Sequence, residues 1–527
     1  MPAMPAMTAR RRIAVLVTVC LAVLAINLDT TIVNVALPSL SRQLHAGTAA
    51  MQWVVDGYAL AFAALVLAGG SVGDRFGRRP VLLAGLGGFA AASIGAGLSD
   101  SVGELIAWRF VMGAFAAAIY PTTLSIIANA FPDRAERARA IGVWGAVTGL
   151  GVAAGPVTGG LLLAHFGWQS VFWALVPMAA AAAVLAAVLV PESRAPSAGR
   201  ADLAGLAAAS AAIGTLVYTV IEAPSRGWLS AASLAGFAAA ASAAAVFVAV
   251  ERRSPHPMID VSLFKVPAFS AASASVTIAF FALFGFIFLV TQYMQIVRGW
   301  GTLSTGLRIL PVAAAIGAGS AFAPRLVARY GTRRVVITGL MLFGAALAWI
   351  AVSPQDQPYA QIAAEMVIMG TGLGLTTTPA TESILSVLPP AKAGVGSAVN
   401  DATREAGGTL GVAVIGSIFS SIYLHHLSGT AVAHLPGGAV RSARGSVAAA
   451  MAIARHAPGT AAGTLTHAVS ASFMSGFAVA CLVGAAICAL GALAASRLPG
   501  RPAVAATPAG ADRHRVVSAE PARQAAA

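Results

Sequence analysis

Gly70-Ser71-Val72-Gly73-Asp74-Arg75-Phe76-Gly77-Arg78-Arg79-Pro80-Val81-Leu82 is a short charged turn set between two long apolar runs, residues 49–71 and 80–98. A run of about 20 mostly apolar residues is long enough to cross a bilayer as a helix. The turn therefore joins two membrane-crossing helices. Gly70 and Gly77 permit a tight turn and close helix approach, and Asp74 can pair with an arginine or cap a helix end.

The same alternation continues in both directions. Fourteen runs stand out, at 13–37, 49–71, 80–98, 103–127, 140–163, 169–190, 203–222, 230–250, 269–291, 304–323, 335–352, 359–381, 394–423 and 470–496. Composition agrees: of 527 residues, 58% are hydrophobic and 10% charged, against roughly 25% charged in soluble domains. So few charges cannot cover one soluble globule of this size. The fold class expected is an all-α membrane protein.

The net charge of +14 would suggest nucleic acid in a soluble chain. Here the arginines sit in short segments between apolar runs, with no basic stripe interleaved with aromatics. Arg75, Arg78 and Arg79 follow run two; Arg134, Arg137 and Arg139 follow run four; Arg252, Arg253 and Lys265 follow run eight; Arg325, Arg329, Arg333 and Arg334 follow run ten. The alternate short loops carry only Arg42, Arg226 and Arg298. The positive-inside rule then places both termini in the cytoplasm. Arg10, Arg11 and Arg12 could open a signal peptide, but no convincing small-residue cleavage site follows, and a retained first helix is expected.

The opening turn recurs. Arg329-Tyr330-Gly331-Thr332-Arg333-Arg334 follows run ten as Asp74 to Arg79 follows run two. Val111-Met112-Gly113 with Pro121 in run four is echoed by Ile368-Met369-Gly370 with Pro379 in run twelve. Both pairs share an offset of eight helices. The reading is two related six-helix halves, 1–190 and 268–496, around two inserted helices in 191–267. Residues 424–469 are expected as an external loop, and 497–527 as a disordered cytoplasmic tail. Paired halves around a central site are a transporter architecture.

Four further stretches carry chemistry. Leu105 to Ala117 holds Arg109 and Gly113 inside an apolar run; an arginine within the membrane is costly and marks function or a buried pair. Gly151-Val152-Ala153-Ala154-Gly155-Pro156-Val157-Thr158-Gly159-Gly160-Leu161-Leu162 combines a small-residue packing face with a proline kink. Leu28-Asp29-Thr30-Thr31-Ile32-Val33-Asn34-Val35-Ala36-Leu37-Pro38 puts an acid in the first run, and Trp53-Val54-Val55-Asp56-Gly57-Tyr58 puts one in the second.

Together these stretches resemble the major facilitator superfamily and, within it, the 14-helix drug:proton antiporter branch, over most of residues 13–423. Gly70 to Leu82 is similar to the family's loop signature, Leu105 to Ala117 to its fourth-helix motif, and Gly151 to Leu162 to its antiporter motif. Met112 and Phe115 stand where the family usually has Gln and Gly, and Gln169 and Leu175 where it usually has Arg and Asn. The resemblance implies a major facilitator fold with 14 transmembrane helices. It also implies export of small lipophilic, potentially cationic drugs or antibiotics from a bacterial cytoplasm. Gly70, Asp74, Arg75, Gly77, Arg78 and Arg79 would form a cytoplasmic gate loop. Gly151, Gly155, Pro156, Gly159 and Gly160 would set the direction.

Depth along each helix, at about 1.5 Å per residue, places Asp29 about 12 Å, Asp56 about 10 Å, and Arg109 and Glu365 about 9 Å from their outer ends. Carboxylates near one Arg suit proton coupling, because burial disfavours the charged acid while Arg favours it. Trp53, Tyr58, Met112, Phe115 and Tyr120 are candidates to line a substrate cavity. Asp401, Arg404 and Glu405 share a helix face, as an ion pair or as part of the transport path. Cys20, Cys481 and Cys488 lie inside apolar runs and show neither disulfide nor metal spacing. His425, His426, His434, His456 and His467 are too irregularly spaced for a metal site.

The expected partners are a small-molecule substrate, protons and the lipid bilayer, with no nucleic acid, no cofactor, no metal and a monomeric chain. An exporter dedicated to one endogenous metabolite, lipid or antibiotic fits the same residues. A polytopic membrane enzyme is the distant alternative, since no nucleophile elbow, zinc helix or phosphate loop is visible.

Overall fold

The computed structural model describes residues 8–194, 202–254, 261–387, 393–458 and 460–499. Lipid offers backbone groups no hydrogen bonds, so a spanning chain must satisfy them internally. The described chain does so as seventeen α-helices. Within the expected first half, 1–190, fall α1 (Ala9–Gln43), α2 (Thr48–Phe76), α3 (Arg78–Gly97), α4 (Val102–Ala130), α5 (Arg134–His165), α6 (Ser170–Trp173) and α7 (Leu175–Leu189). Within the segment expected as an insertion, 191–267, fall α8 (Leu203–Arg226) and α9 (Ala231–Arg253). Within the expected second half fall α10 (Pro267–Gln292), α11 (Thr302–Tyr330), α12 (Thr332–Val352), α13 (Tyr359–Ser386), α14 (Ala393–Ser428), α15 (Gly437–Gly445), α16 (Val447–Arg455) and α17 (Ala461–Ala495). Side-chain oxygens start several of them: Thr8, Ser101, Asp202 and Ser230 accept from backbone amides of the first turn, as N-caps do.

Thirteen helices among the described residues are long and apolar enough to cross a membrane. The expected run not among them is the twelfth, 359–381, which coincides with α13, 28 residues long. Glu365 and the run Thr376-Thr377-Thr378 make it more polar than the rest. Two boundaries differ from the sequence reading. Run six is broken at Ala174 into α6 and α7. The expected loop 424–469 is largely helical, because α14 runs on to Ser428, α17 starts at Ala461, and α15 and α16 fold between them. Ser446 caps α16 by accepting from the Ala449 amide. Of the expected tail, residues 500–527 lie outside the described residues, as does the side chain of Asp74.

The recurrence of the opening turn is visible in the backbone. Gly77 (φ 108°) ends α2 and starts α3, and Gly331 (φ 83°) ends α11 and starts α12. Only glycine adopts this conformation without strain, so the opening motif of the sequence and its echo are the same turn. Likewise α4 packs on α2 and α13 on α11. A methyl on Gly113 would meet the Tyr58 carbonyl, and one on Gly370 the Val312 carbonyl.

The bundle has two ends. Arg12 Nη1 bonds Glu136 Oε2 at 2.6 Å, and the Arg333 amide donates to the Pro499 carbonyl; this end, here the basal end, carries the Gly77 and Gly331 turns. At the opposite end the halves are joined. Thr302 Oγ1 donates to the Gly160 carbonyl (3.1 Å), and Gln295 Nε2 to the Val35 carbonyl (2.9 Å). Gln52 Nε2 donates to the carbonyls of Val412 (3.1 Å) and Ala413 (3.0 Å), and Ser41 and Ser446 share a hydrogen bond of 2.7 Å. On the basal half of α5, by contrast, Gly142, Gly145 and Gly149 face open space, as does Gly317 on α11. α8 packs along the junction, touching both α2 and α14.

Candidate functional site

Polar side chains around Asp29 serve their own helix. Asn27 Nδ2 donates to the Val23 carbonyl, Thr30 Oγ1 to that of Asn27, and Asn34 Nδ2 to that of Thr30. Thr31 Oγ1 reaches across to the Val152 carbonyl of α5. None of these engages the Asp29 carboxylate, which bonds Arg109 instead. Arg109 Nη1 lies 2.8 Å from Asp29 Oδ1 and 2.7 Å from Oδ2, and Arg109 Nε donates to the Val54 carbonyl at 2.8 Å. The guanidinium sits 4.5 Å from the centroid of the Tyr58 ring. Both partners are essentially inaccessible, at 1% and 0% exposure. A pair this dry is held by its geometry, and removing one member typically costs about 3–5 kcal/mol. It ties α1, α2 and α4 together at mid-depth.

Asp56 lies on α2 between Val54 and Tyr58. It is fully buried, and neither carboxylate oxygen has a hydrogen-bond partner among the described residues. It shares a space of about 10 Å³ with Thr30, Arg109, Phe284, Glu405 and Gly408. An ionised carboxylate left without a donor in such a place costs several kcal/mol. Native proteins retain such groups where they are used.

The second half contributes α14. Asp401, Arg404 and Glu405 face Asn27, Thr30, Tyr58 and Tyr120 across a space of about 20 Å³, room for roughly one water. Arg404 Nη1 stands 3.9 Å from Asp401 Oδ1 and lies over the Phe280 ring at 4.5 Å. From this space an aromatic file runs along the first half: Tyr58 to Phe62 at 6.3 Å, Phe62 to Tyr120 at 5.7 Å, and Tyr120 to Trp144 at 5.0 Å between centroids. Trp144 Nε1 donates to Thr123 Oγ1.

The structure thus brings Asp29, Asp56, Arg109, Tyr58, Tyr120, Asp401, Arg404 and Glu405 together. Other expected residues stand elsewhere. Trp53 faces the inserted helices, 6.2 Å from the Tyr218 ring, in a cluster with Val217 and Trp228. Phe115 packs on α3, where a methyl on Gly88 would strike its ring. Met112 is buried in the core and lines neither space. Glu365, expected at a depth like that of Arg109, is instead held by residues in and just before its own helix, α13. Ser353 Oγ (2.7 Å), Gln357 Nε2 (3.2 Å) and Gln361 Nε2 (3.3 Å) donate to it. Depth alone cannot say which way a helix face points. With its carboxylate satisfied inside one half, Glu365→Gln should keep transport within about twofold of the parent in a vesicle assay.

The turn residues are anchored to the first half. The Arg78 amide donates to the Ser193 carbonyl at 3.0 Å and its Nη1 to the Ser125 carbonyl at 3.2 Å, while Arg79 Nη2 bonds the Ala187 carbonyl. Arg75 is exposed. Gly70 sits beside Pro121.

The glycine-rich stretch of α5 has two faces. Gly151, Gly155 and Gly159 let α1 approach at Asn27, Thr31 and Ile32. Gly160 and Pro156 meet Thr302 and Gly306 of α11, where an added Cβ on Gly160 would stand 2.6 Å from the Thr302 carbonyl. Sequence reading passed over Gln52, Gln295, Phe62 and Trp144. Gln52 carried a signal, as an amide inside an apolar run, and Phe62 stands four residues from Tyr58 on the same helix face.

Residues 19–412 match the sequence profile of the Major Facilitator Superfamily. The chain is 35% identical over 426 residues to "Multidrug resistance protein Stp" of Mycobacterium tuberculosis, covering 81% of this chain and 78% of that protein. It is 34% identical to "Multidrug efflux pump LfrA" of Mycolicibacterium smegmatis, covering 91% and 94%. It is 33% identical to the "Tetracenomycin C resistance and export protein" of Streptomyces glaucescens, covering 91% and 90%. Among solved structures, a bacterial homolog to the human lysosomal transporter Spinster superposes with a TM-score of 0.63 at 16% identity, covering 93% of this chain and 98% of that one.

Proposed function

The chain belongs to the major facilitator superfamily, and on that premise we propose that it exports small lipophilic drugs or antibiotics from the bacterial cytoplasm in exchange for protons. The family makes it a multi-pass membrane transporter. Its relatives bear names of multidrug efflux and antibiotic export, and those names support the choice of cargo. The basic loops support placing the basal end and both termini in the cytoplasm, with all fourteen long helices crossing. The halves then meet on the outer side and stand apart on the inner side, an inward-facing arrangement.

The observation that carries the coupling is Asp56, buried without a donor beside the Arg109–Asp29 pair and next to Glu405 of the other half. Asp56 carries the proton. Arg109 holds Asp29 in this state, and its movement between Asp29 and Asp56 exchanges the proton as the halves rock. Substrate enters from the basal side along Trp144, Tyr120 and Phe62, and a cationic head is drawn towards Asp401 and Glu405. Rocking closes the inner side, and entry of the next proton from outside displaces the cargo.

Asp56→Asn removes the titrating group at almost constant shape. Proton-driven export from everted vesicles should fall at least about tenfold, with the protein still in the membrane at parental level. Parental export by this variant would remove Asp56 from the mechanism. The tetracenomycin relative favours a second reading, an exporter dedicated to one compound. A panel of chemically unrelated dyes separates the two, since a dedicated exporter answers to a single chemical class.

A further inference from the structure

A groove of about 770 Å³ opens on the side of the bundle where α5 meets α11. Its walls are Ala164 at the end of α5, Leu303, Ser304, Leu307 and Arg308 on the first two turns of α11, and Tyr359 at the start of α13. The lining is mainly apolar, and Leu307 is 48% exposed, as expected of a surface that meets lipid tails.

Arg308 is out of place on such a wall. It lies six residues inside α11, about 9 Å from the helix start. Among the described residues no carboxylate pairs with its guanidinium. The cation rests on aromatic faces instead, 4.3 Å from the Trp300 centroid and 5.5 Å from that of Tyr359. Aromatic faces orient a guanidinium and stabilise it by about 0.5–2 kcal/mol, but they leave its five N–H donors and its charge unanswered. Neighbouring Arg298 shows the contrast. It touches the same indole at 5.0 Å, yet its Nη1 donates to the carbonyls of Gln355 (3.0 Å) and Gln357 (2.7 Å).

A second positive element converges on the groove. α11 begins there, and its N-cap, Gly301, supplies no side-chain bond, so the positive end of the helix dipole is uncapped. Ser304 adds a hydroxyl. An unpaired arginine, an uncapped helix start and a hydroxyl above an apolar trough fit an anionic head on an apolar tail.

We infer that this groove is a binding site for an anionic phospholipid, with the phosphate on Arg308 and Ser304 and an acyl chain along Leu303, Leu307 and Ala164. The site depends on the chain lying in a membrane, and not on the direction of transport or its coupling. A guanidinium suits the role because its planar fork matches two phosphate oxygens at once, which an ammonium does not.

The test is native mass spectrometry of the purified full-length protein in maltoside detergent, titrated with dioleoylphosphatidylglycerol or dioleoylphosphatidylcholine. The parent should bind phosphatidylglycerol at least about tenfold more tightly than phosphatidylcholine. Arg308→Gln should bring the two lipids level, and Arg308→Lys should fall between. Leu307→Trp, which fills the trough and keeps the cation, should weaken binding of phosphatidylglycerol while eluting as a monodisperse peak. Arg441→Gln, on α15 away from the groove, should change nothing. Equal binding of both lipids by the parent, or an unchanged preference in Arg308→Gln, overturns the proposal. Full competition by millimolar inorganic phosphate also overturns it, since the site would then hold a free anion and not a lipid.

Discussion

Replacing Arg109 with Met should abolish transport and destabilise the protein, because it leaves the Asp29 carboxylate buried without its one partner among the described residues. Breaking a buried pair in this way typically costs about 3–5 kcal/mol, enough to lower the thermal transition of the detergent-solubilised protein by several degrees. Arg109→Met also removes the bond to the Val54 carbonyl, a smaller loss, because that carbonyl lies inside α2 and keeps its helical amide bond. The informative comparison is the double variant Asp29→Asn with Arg109→Met. Without the charge on Asp29 the stability loss should shrink to roughly half or less, while transport stays absent. A double variant as unstable as Arg109→Met alone would mean that packing of the arginine stem, not the charge pair, holds α1, α2 and α4 together.

The second large effect is expected at the seam of the halves. Gly306→Leu places a side chain against the Pro156 backbone, where even a methyl would strike the carbonyl oxygen. Overpacking at such a contact costs about 1–3 kcal/mol. Here the strain exists only while the halves meet at that end, so it should shift the balance of states by roughly 5- to 150-fold towards opening there. Cys20, Cys481 and Cys488 are all buried, so a single introduced Val35→Cys, at a fully buried position beside Gly159 where Gln295 crosses between the halves, can be read against a low background. A membrane-impermeant maleimide added to intact cells should label it several-fold faster in the Gly306→Leu background, with export reduced about tenfold or more. Unchanged labelling would mean that the α5–α11 contact does not move during the cycle.

Much of the architecture was legible in the sequence because its cause is local. Apolar runs of bilayer length had no other stable use, and the runs of the sequence reading correspond to the long helices within several residues at most ends. The Gly77 turn and its echo at Gly331 could be paired because a positive φ ties each to glycine. Run six stands as one span, Ser170–Leu189; its break at Ala174 comes three residues before Pro177, whose missing amide leaves the helical ladder open there. The stretch after Ser428 looked like loop because its alanines and glycines lack periodic contrast; α15 and α16 owe their helices to contacts with distant residues such as Ser41 and Tyr423.

The site was legible in part. Asp29, Asp56 and Arg109 announced themselves as charges in lipid-length runs, and their depths agreed. Glu365 agreed in depth as well, yet Ser353, Gln357 and Gln361 hold it inside the second half. Depth is one coordinate, and the direction a residue faces around its helix depends on which neighbours the helix finds. For the same reason Trp53 and Phe115 read as cavity residues but pack against α8 and α3. Phe62 and Trp144, which extend the aromatic file, were indistinguishable in sequence from packing aromatics.

The central claim is that one buried carboxylate, Asp56, exchanges a proton for cargo between the two halves. It is tested most directly by reconstituting the purified protein and Asp56→Asn into liposomes carrying a pH-sensitive dye, imposing a proton gradient, and measuring cargo and proton movement together. The expected result is that in the parent each added lipophilic substrate releases protons down the gradient in step with its own uphill movement, and that Asp56→Asn shows neither. Uphill movement of cargo in the parent with no matching proton flux, or full coupled exchange in Asp56→Asn, would contradict it.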